Sequence, residues 1–264
     1  MTALGLGVGW LVGYWISVIV DFLPRYSSSG LSQRHIRNPF SGEPIKKQGR
    51  NNRVNGFFQR FTMPAIIQFA QALAARKSWS GLPSVLKLNL AVEVVTAILF
   101  AIIWTQALST TLLAMQSLLC AFLILVAMMD LRYRLVLNIL IFPAMVLALL
   151  MRALTPGTSW LAVLLGGLFG FAIFALVAML RPGQLGGGDV KLATLIGLVF
   201  AFPDALWALL IGVLAGGVAS VWMLASGRGN AQTQIAYAPF LVFGALVALF
   251  FNPVPLLMYR FQGF

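Results

Sequence analysis

A chain of 264 residues in which 60% are hydrophobic and only 9% charged is not a soluble globular domain, where roughly a quarter of residues carry charge. So much apolar surface requires a lipid solvent, and the composition implies an all-α polytopic membrane helix bundle. The excess of 18 Lys and Arg over 6 Asp and Glu reads, beside membrane spans, as a topology signal near anionic headgroups; the bilayer is the expected partner and nucleic acid is not.

The first apolar run, residues 3–22, has basic residues only after it, the reverse of a signal peptide, so it is expected to remain as an anchor with its amino terminus outside. One long polar segment follows, residues 23–87. It holds eleven of the basic residues, from Arg25 to Lys87, with Glu43 as its only acid. It reads as a basic cytoplasmic loop or subdomain, with an amphipathic stretch near 57–75 lying along the membrane surface.

Seven more spans are expected at about 88–107, 110–129, 136–151, 160–180, 190–202, 204–225 and 237–257, making about eight. Residues 88–264 would form the membrane-embedded core. The span from 190 is short for a hydrocarbon layer of about 30 Å, which points to a helix that is partly re-entrant or begins within the membrane. Sixteen of the 18 basic residues then fall on one side, leaving Arg152 and Arg260 on the other. The positive-inside rule selects this arrangement, with both termini outside.

Cys120 is the single cysteine and His35 the single histidine. No internal disulfide is possible, and no set at metal-ligand spacing exists, so neither metal nor cofactor is expected.

The acids carry the chemistry. Asp130 closes the apolar run "LLCAFLILVAMM", and Asp189 follows three glycines in "RPGQLGGGDVKLATLIG". On the expected topology both lie at the same depth on the cytoplasmic side. Two carboxylates at close range cannot both stay ionised, so they share a proton; one can activate water while the other protonates a carbonyl, which is aspartic protease chemistry. The glycines would admit a substrate backbone and tolerate unusual dihedrals, and Asp189 could accept amide hydrogen bonds from the first turn of its helix. Spacing alone leaves other readings open: a glycine turn with a helix cap, an ion pair of Asp130 with Arg132 or Arg134, or a proton or cation relay.

At these residues the sequence resembles the type IV prepilin peptidases, membrane aspartic proteases of the GxGD type. "GGGDVKLATLIG" is similar to the family's most characteristic block, and "AMMDLRYRLVLNILIFP" to the block with the other catalytic aspartate. "GLGVGWLVGYWISVIVDFLPR", "AVEVVTAILF" and "IAYAPFLVFGALVALF" resemble its first, second and last spans. The resemblance implies Asp130 and Asp189 as the catalytic pair, and Gly186, Gly188 and Lys191 as residues at the substrate. It implies cleavage of the basic leader of prepilins and pseudopilins at the cytoplasmic face of a prokaryotic plasma membrane.

Two departures qualify the likeness. Many members carry two zinc-binding Cys-x-x-Cys pairs in the first cytoplasmic loop, which serves methylation of the new amino terminus with S-adenosylmethionine; here the loop has no cysteine, so zinc is not expected and methylation is not assigned. Where the family commonly has Pro-Asn after the first aspartate, this chain has Leu137-Asn138. A transporter or channel using the same acids, and an inactive scaffold, are the alternatives; cleavage of a prepilin with and without each aspartate separates all three.

Overall fold

The computed structural model describes residues 2–27, 64–74, 83–106, 109–153, 159–180, 185–226 and 236–251. Among them every regular element is a helix: α1 (Thr2–Ser27), α2 (Ala65–Ala74), α3 (Ser84–Gln106), α4 (Thr110–Tyr133), α5 (Asn138–Ala153), α6 (Trp160–Leu180), α7 (Gly187–Phe200), α8 (Asp204–Ala225) and α9 (Ala238–Phe250). The protein is an all-α membrane bundle. Five helices, α1, α3, α4, α6 and α8, are long and apolar enough to cross a membrane. The other three expected spans appear as the shorter α5, α7 and α9. Most of the basic segment lies outside the described residues, as do the stretch 57–63, Glu43 and His35.

The chain divides into two compact units, Met1–Tyr133 and Arg134–Phe264. In the first, α1 and α3 pack antiparallel along a stripe of glycines four residues apart. A Cβ on Gly5 would stand 3.0 Å from the Trp104 side chain, one on Gly9 2.6 Å from Phe100 Cβ, and one on Gly13 2.8 Å from Glu93 Cα. Small residues let helix backbones meet where lipid offers no hydrophobic drive to association. Directly after α4, Arg134 adopts the left-handed conformation, with φ 51°, a common way to end a helix.

The second unit repeats the device. A Cβ on Gly166 would strike the carbonyl oxygen of Gly197, and one on Gly170 that of Ala193, so α6 and α7 touch backbone to backbone. Gly244 meets the Ala208 carbonyl in the same way, joining α9 to α8. Outward faces are lined with large apolar side chains, including Leu164, Leu168, Met179, Val218, Val221 and Trp222, as a lipid-facing surface requires. The buried polar residues are few: Ser17, Glu93, Thr96, Asp130, Arg132 and Asp189 among the described residues.

Candidate active site

Asp130 occupies the last turn of α4, inside the helix rather than just beyond it, and is 6% exposed. It is flanked by Met128 and Met129, both buried. Two residues on, Arg132 is also buried and forms an ion pair with Asp21 on α1. The sequence left open whether Arg132 serves Asp130; the structure gives its guanidinium a partner on another helix. Asp21 is thus a structural acid, tying α1 to α4 within the first unit.

Asp189 lies in the first turn of α7 and is 8% exposed. Its Oδ2 accepts the N–H of Gly186 at 3.2 Å, and its own N–H donates to the Gly186 carbonyl at 3.0 Å. A carboxylate reaching back to the residue before the helix is the acidic half of a capping box, and the helix dipole favours a negative charge there. The sequence suggested amides of the first turn as donors to Asp189; one donor is the N–H of Gly186, the residue just before the helix, because Asp189 stands at the third helical position.

The glycines divide the work differently from the expectation. Gly186 has φ −75° and ψ 144°, ordinary extended backbone, so no unusual dihedral is needed there. Nothing lies within 4 Å of a Cβ placed on Gly187, and both Gly186 and Gly187 are exposed. Gly188 has no such room: its Cβ would stand 2.6 Å from Val136 Cβ. The last glycine before the aspartate therefore permits close approach of the segment that leads into α5.

α5 clamps α7 at both ends. Lys191 Nζ donates to Asn138 Oδ1 at 2.7 Å and sits 5.3 Å from the centre of the Phe142 ring, where the π-face attracts a cation. At the other end Arg152 donates to the Val199 carbonyl, one of the acceptors left over at the C-terminus of α7. The 14 residues of α7 span about 21 Å at 1.5 Å per residue, short of a full hydrocarbon layer. Its length matches the sequence expectation, although it begins three residues earlier.

Two residues at this site had no role assigned from sequence. In the sequence Asn138 stands out only as half of an altered Pro-Asn pair, yet it holds Lys191. Tyr237, at the N-cap of α9, lies within electrostatic reach of Asp189. Its ring packs 6.1 Å from that of Phe174 and 6.3 Å from that of Phe240, and Gly216 makes room for it, a Cβ there standing 2.7 Å from the ring. A tyrosine at the mouth of a span is a usual interfacial residue, so composition gave no cue to its neighbour.

Residues 117–221 match the model of the type IV leader peptidase family, a stretch that includes Asp130, Gly186, Gly188, Asp189 and Lys191. A prepilin leader peptidase/N-methyltransferase of Bacillus subtilis (strain 168) is 33% identical over 163 residues, 61% of this chain and 65% of that relative. The chain thus spans just under two thirds of the length of the curated relative it matches. No solved structure matches it significantly.

Proposed function

Because residues 117–221 match the model of the type IV leader peptidase family, we propose that this chain is a membrane aspartic endopeptidase that removes the basic leader peptide of type IV prepilins or pseudopilins. The observation that carries the reading is a pair of buried aspartates inside that stretch. Asp130 ends one long apolar helix and Asp189 begins a short one, the positions from which carboxylates reach a peptide at the edge of a bilayer.

In the proposed reaction Asp130 and Asp189 share one proton. The ionised member takes a proton from water, whose oxygen attacks the scissile carbonyl carbon, while the other member protonates the carbonyl oxygen. Collapse of the resulting diol breaks the C–N bond: the proton gained from water passes to the leaving nitrogen, and a diol hydroxyl returns its proton to the other carboxylate. A carboxylic acid and an amine result, and the pair again holds one proton. The cap on Asp189 fixes the direction of its carboxylate, and the open space over Gly187 leaves room for an extended substrate backbone.

Lys191 is proposed to act at the substrate through the first turn of α7, and Gly186 and Gly188 through the shape of the loop. The distribution of basic residues supports a cytoplasmic active site in a prokaryotic plasma membrane, the side on which a basic leader followed by an apolar helix would present its cut site. The segment 23–87 lacks cysteine and does not fit a thiolate zinc site.

The test is cleavage of a purified prepilin by membranes holding this protein or its Asp130→Asn and Asp189→Asn variants. Asn keeps the size of each side chain and, at 189, an oxygen for the Gly186 N–H. Each variant is expected to insert normally and leave the leader uncut; full processing by either sinks the proposal, and ion flux without cleavage would favour a relay.

A further inference from the structure

Glu93 has no place in the proposed reaction, yet it is fully buried in the middle of an apolar helix. Three N–H groups point at its carboxylate. Oε1 accepts the backbone N–H of Ala65 at 2.7 Å; Oε2 accepts the backbone N–H of Ile66 at 3.1 Å and the indole N–H of Trp10 at 3.1 Å.

These bonds complete the N-terminus of α2. The first turn of a helix leaves its N–H groups without partners. Here Pro64 has none to offer, Ala65 and Ile66 donate to Glu93, and Ile67 and Gln68 donate to the Pro64 carbonyl at 3.1 and 3.2 Å. Every donor of that turn is satisfied, with the carboxylate set against the positive end of the helix dipole. Such an accounting is demanded of backbone in hydrocarbon, where no water can substitute.

The depth of this contact follows from the helices around it. Glu93 lies nine residues from the Ser84 end of α3, about 14 Å along it, and opposite Gly13, near the middle of the 26-residue α1. The start of α2 is therefore level with the middle of two spanning helices. Ten residues rise about 15 Å, enough to run from there to the end of α3. An interfacial helix carries a charged face; "AIIQFAQALA" has no charge at all, and it turns Ile66, Ile67 and Ala70 outward.

We propose that residues 64–74 form a re-entrant half-helix rather than a helix lying on the membrane surface, and that Glu93 is the positioning residue that holds its N-terminus at mid-span. The inference is independent of the peptidase reading. Glutamine cannot replace the carboxylate, since one oxygen cannot accept on both sides and an amide N–H would oppose at least one of the three donors.

The test uses the full chain in proteoliposomes, with Cys120→Ala to remove the native thiol and a nitroxide attached to Ile66→Cys, Ile67→Cys or Ala70→Cys. Accessibility to oxygen against a water-soluble nickel chelate reports depth. Position 66 is expected to be deepest and position 70 shallower by about 6 Å, four residues of helix rise. In Glu93→Gln, the chelate is expected to reach position 66 about tenfold more readily, the order of change that follows from losing hydrogen bonds to a charged group. Equal depth at the three positions overturns the re-entrant helix, and an unchanged profile in Glu93→Gln overturns the role of Glu93. If that variant does not accumulate, Glu93→Asp, which withdraws the charge by one methylene, carries the same expectation and the same refutation.

Discussion

Gly188→Ala isolates packing from chemistry at the proposed site. The new methyl carbon would stand 2.6 Å from Val136 Cβ, 3.1 Å from its Cγ2 and 3.4 Å from its Cγ1. Carbon atoms in contact prefer about 3.5–4.0 Å, so the first turn of α7 and the approach to α5 must separate by roughly 1 Å. Neither yields easily. Leu137 starts α5 through its carbonyl, which accepts from Leu140 and Ile141, and Asn138 is bonded to Lys191 on the opposing helix. Overpacking of this kind costs about 1–3 kcal/mol.

The same displacement moves the neighbouring carboxylate, and misplacing a catalytic group by 1 Å can cost on the order of a hundredfold in rate. Gly188→Ala is therefore expected to insert, to unfold at lower temperature, and to cleave prepilin about a hundredfold more slowly in single-turnover assays. Adding Val136→Gly, which removes the opposing Cβ, should recover part of both losses, while Gly187→Ala should leave stability within about 0.5 kcal/mol. An unimpaired Gly188→Ala enzyme, or a double variant no better than the single one, would refute the steric argument.

Other expectations follow from the same geometry. Removing one partner of the Asp21–Arg132 pair should hurt unequally: the Arg132 side chain is 7% exposed and Asp21 18%, so Asp21→Asn strands the more deeply buried charge. It should cost about 3–5 kcal/mol, Arg132→Met less, and the double variant should regain much of the loss; equal single costs in chemical unfolding would count against this. The Asn138–Lys191 contact should show a coupling of about 0.5–1.5 kcal/mol in a double-mutant cycle of Asn138→Ala and Lys191→Ala, and a cycle that sums to zero would show that α5 does not hold α7 by that bond. Gly197→Ala should be among the most damaging changes in the second unit, because its methyl would meet the Gly166 carbonyl rather than a side chain that can rotate away; normal expression and melting would contradict the backbone contact between α6 and α7.

The fold was legible because lipid imposes one rule on every span. Long apolar runs with few charges became α1, α3, α4, α6 and α8, and the short run after Asp189 became the short α7. The ends were less legible. The charged segment "DLRY" continues α4 past the expected boundary at 129, because an intrahelical hydrogen bond is available to Asp130, Leu131, Arg132 and Tyr133 whatever their polarity. The aspartates themselves were visible as rare carboxylates beside apolar runs, but the contacts around them were not. Asp21–Arg132 joins residues more than a hundred positions apart, and the partnership of Gly188 with Val136 depends on how two helices approach, which no local pattern encodes.

The buried acids show how a chain with so few charges can keep carboxylates inside it. Taking a carboxylate out of water is costly unless charge or hydrogen bonds replace the solvent. Asp21 is met by a guanidinium, Glu93 by the N-terminus of another helix and an indole, and Asp189 by the residue before its own helix. The first two solutions recruit partners from distant segments and so fix architecture. The third includes a local bond, closed within the start of α7 beside exposed glycine backbone. A carboxylate bonded at the start of its own helix keeps that bond when a substrate arrives, whereas Asp21 and Glu93 cannot change partners without loosening contacts between helices. That distinction predicts which acids tolerate amide replacement in place. Asp189→Asn should melt close to the parent protein while losing cleavage, whereas Glu93→Gln and Asp21→Asn should lower stability first. A variant series in which melting and activity fell together at all three positions would refute the separation.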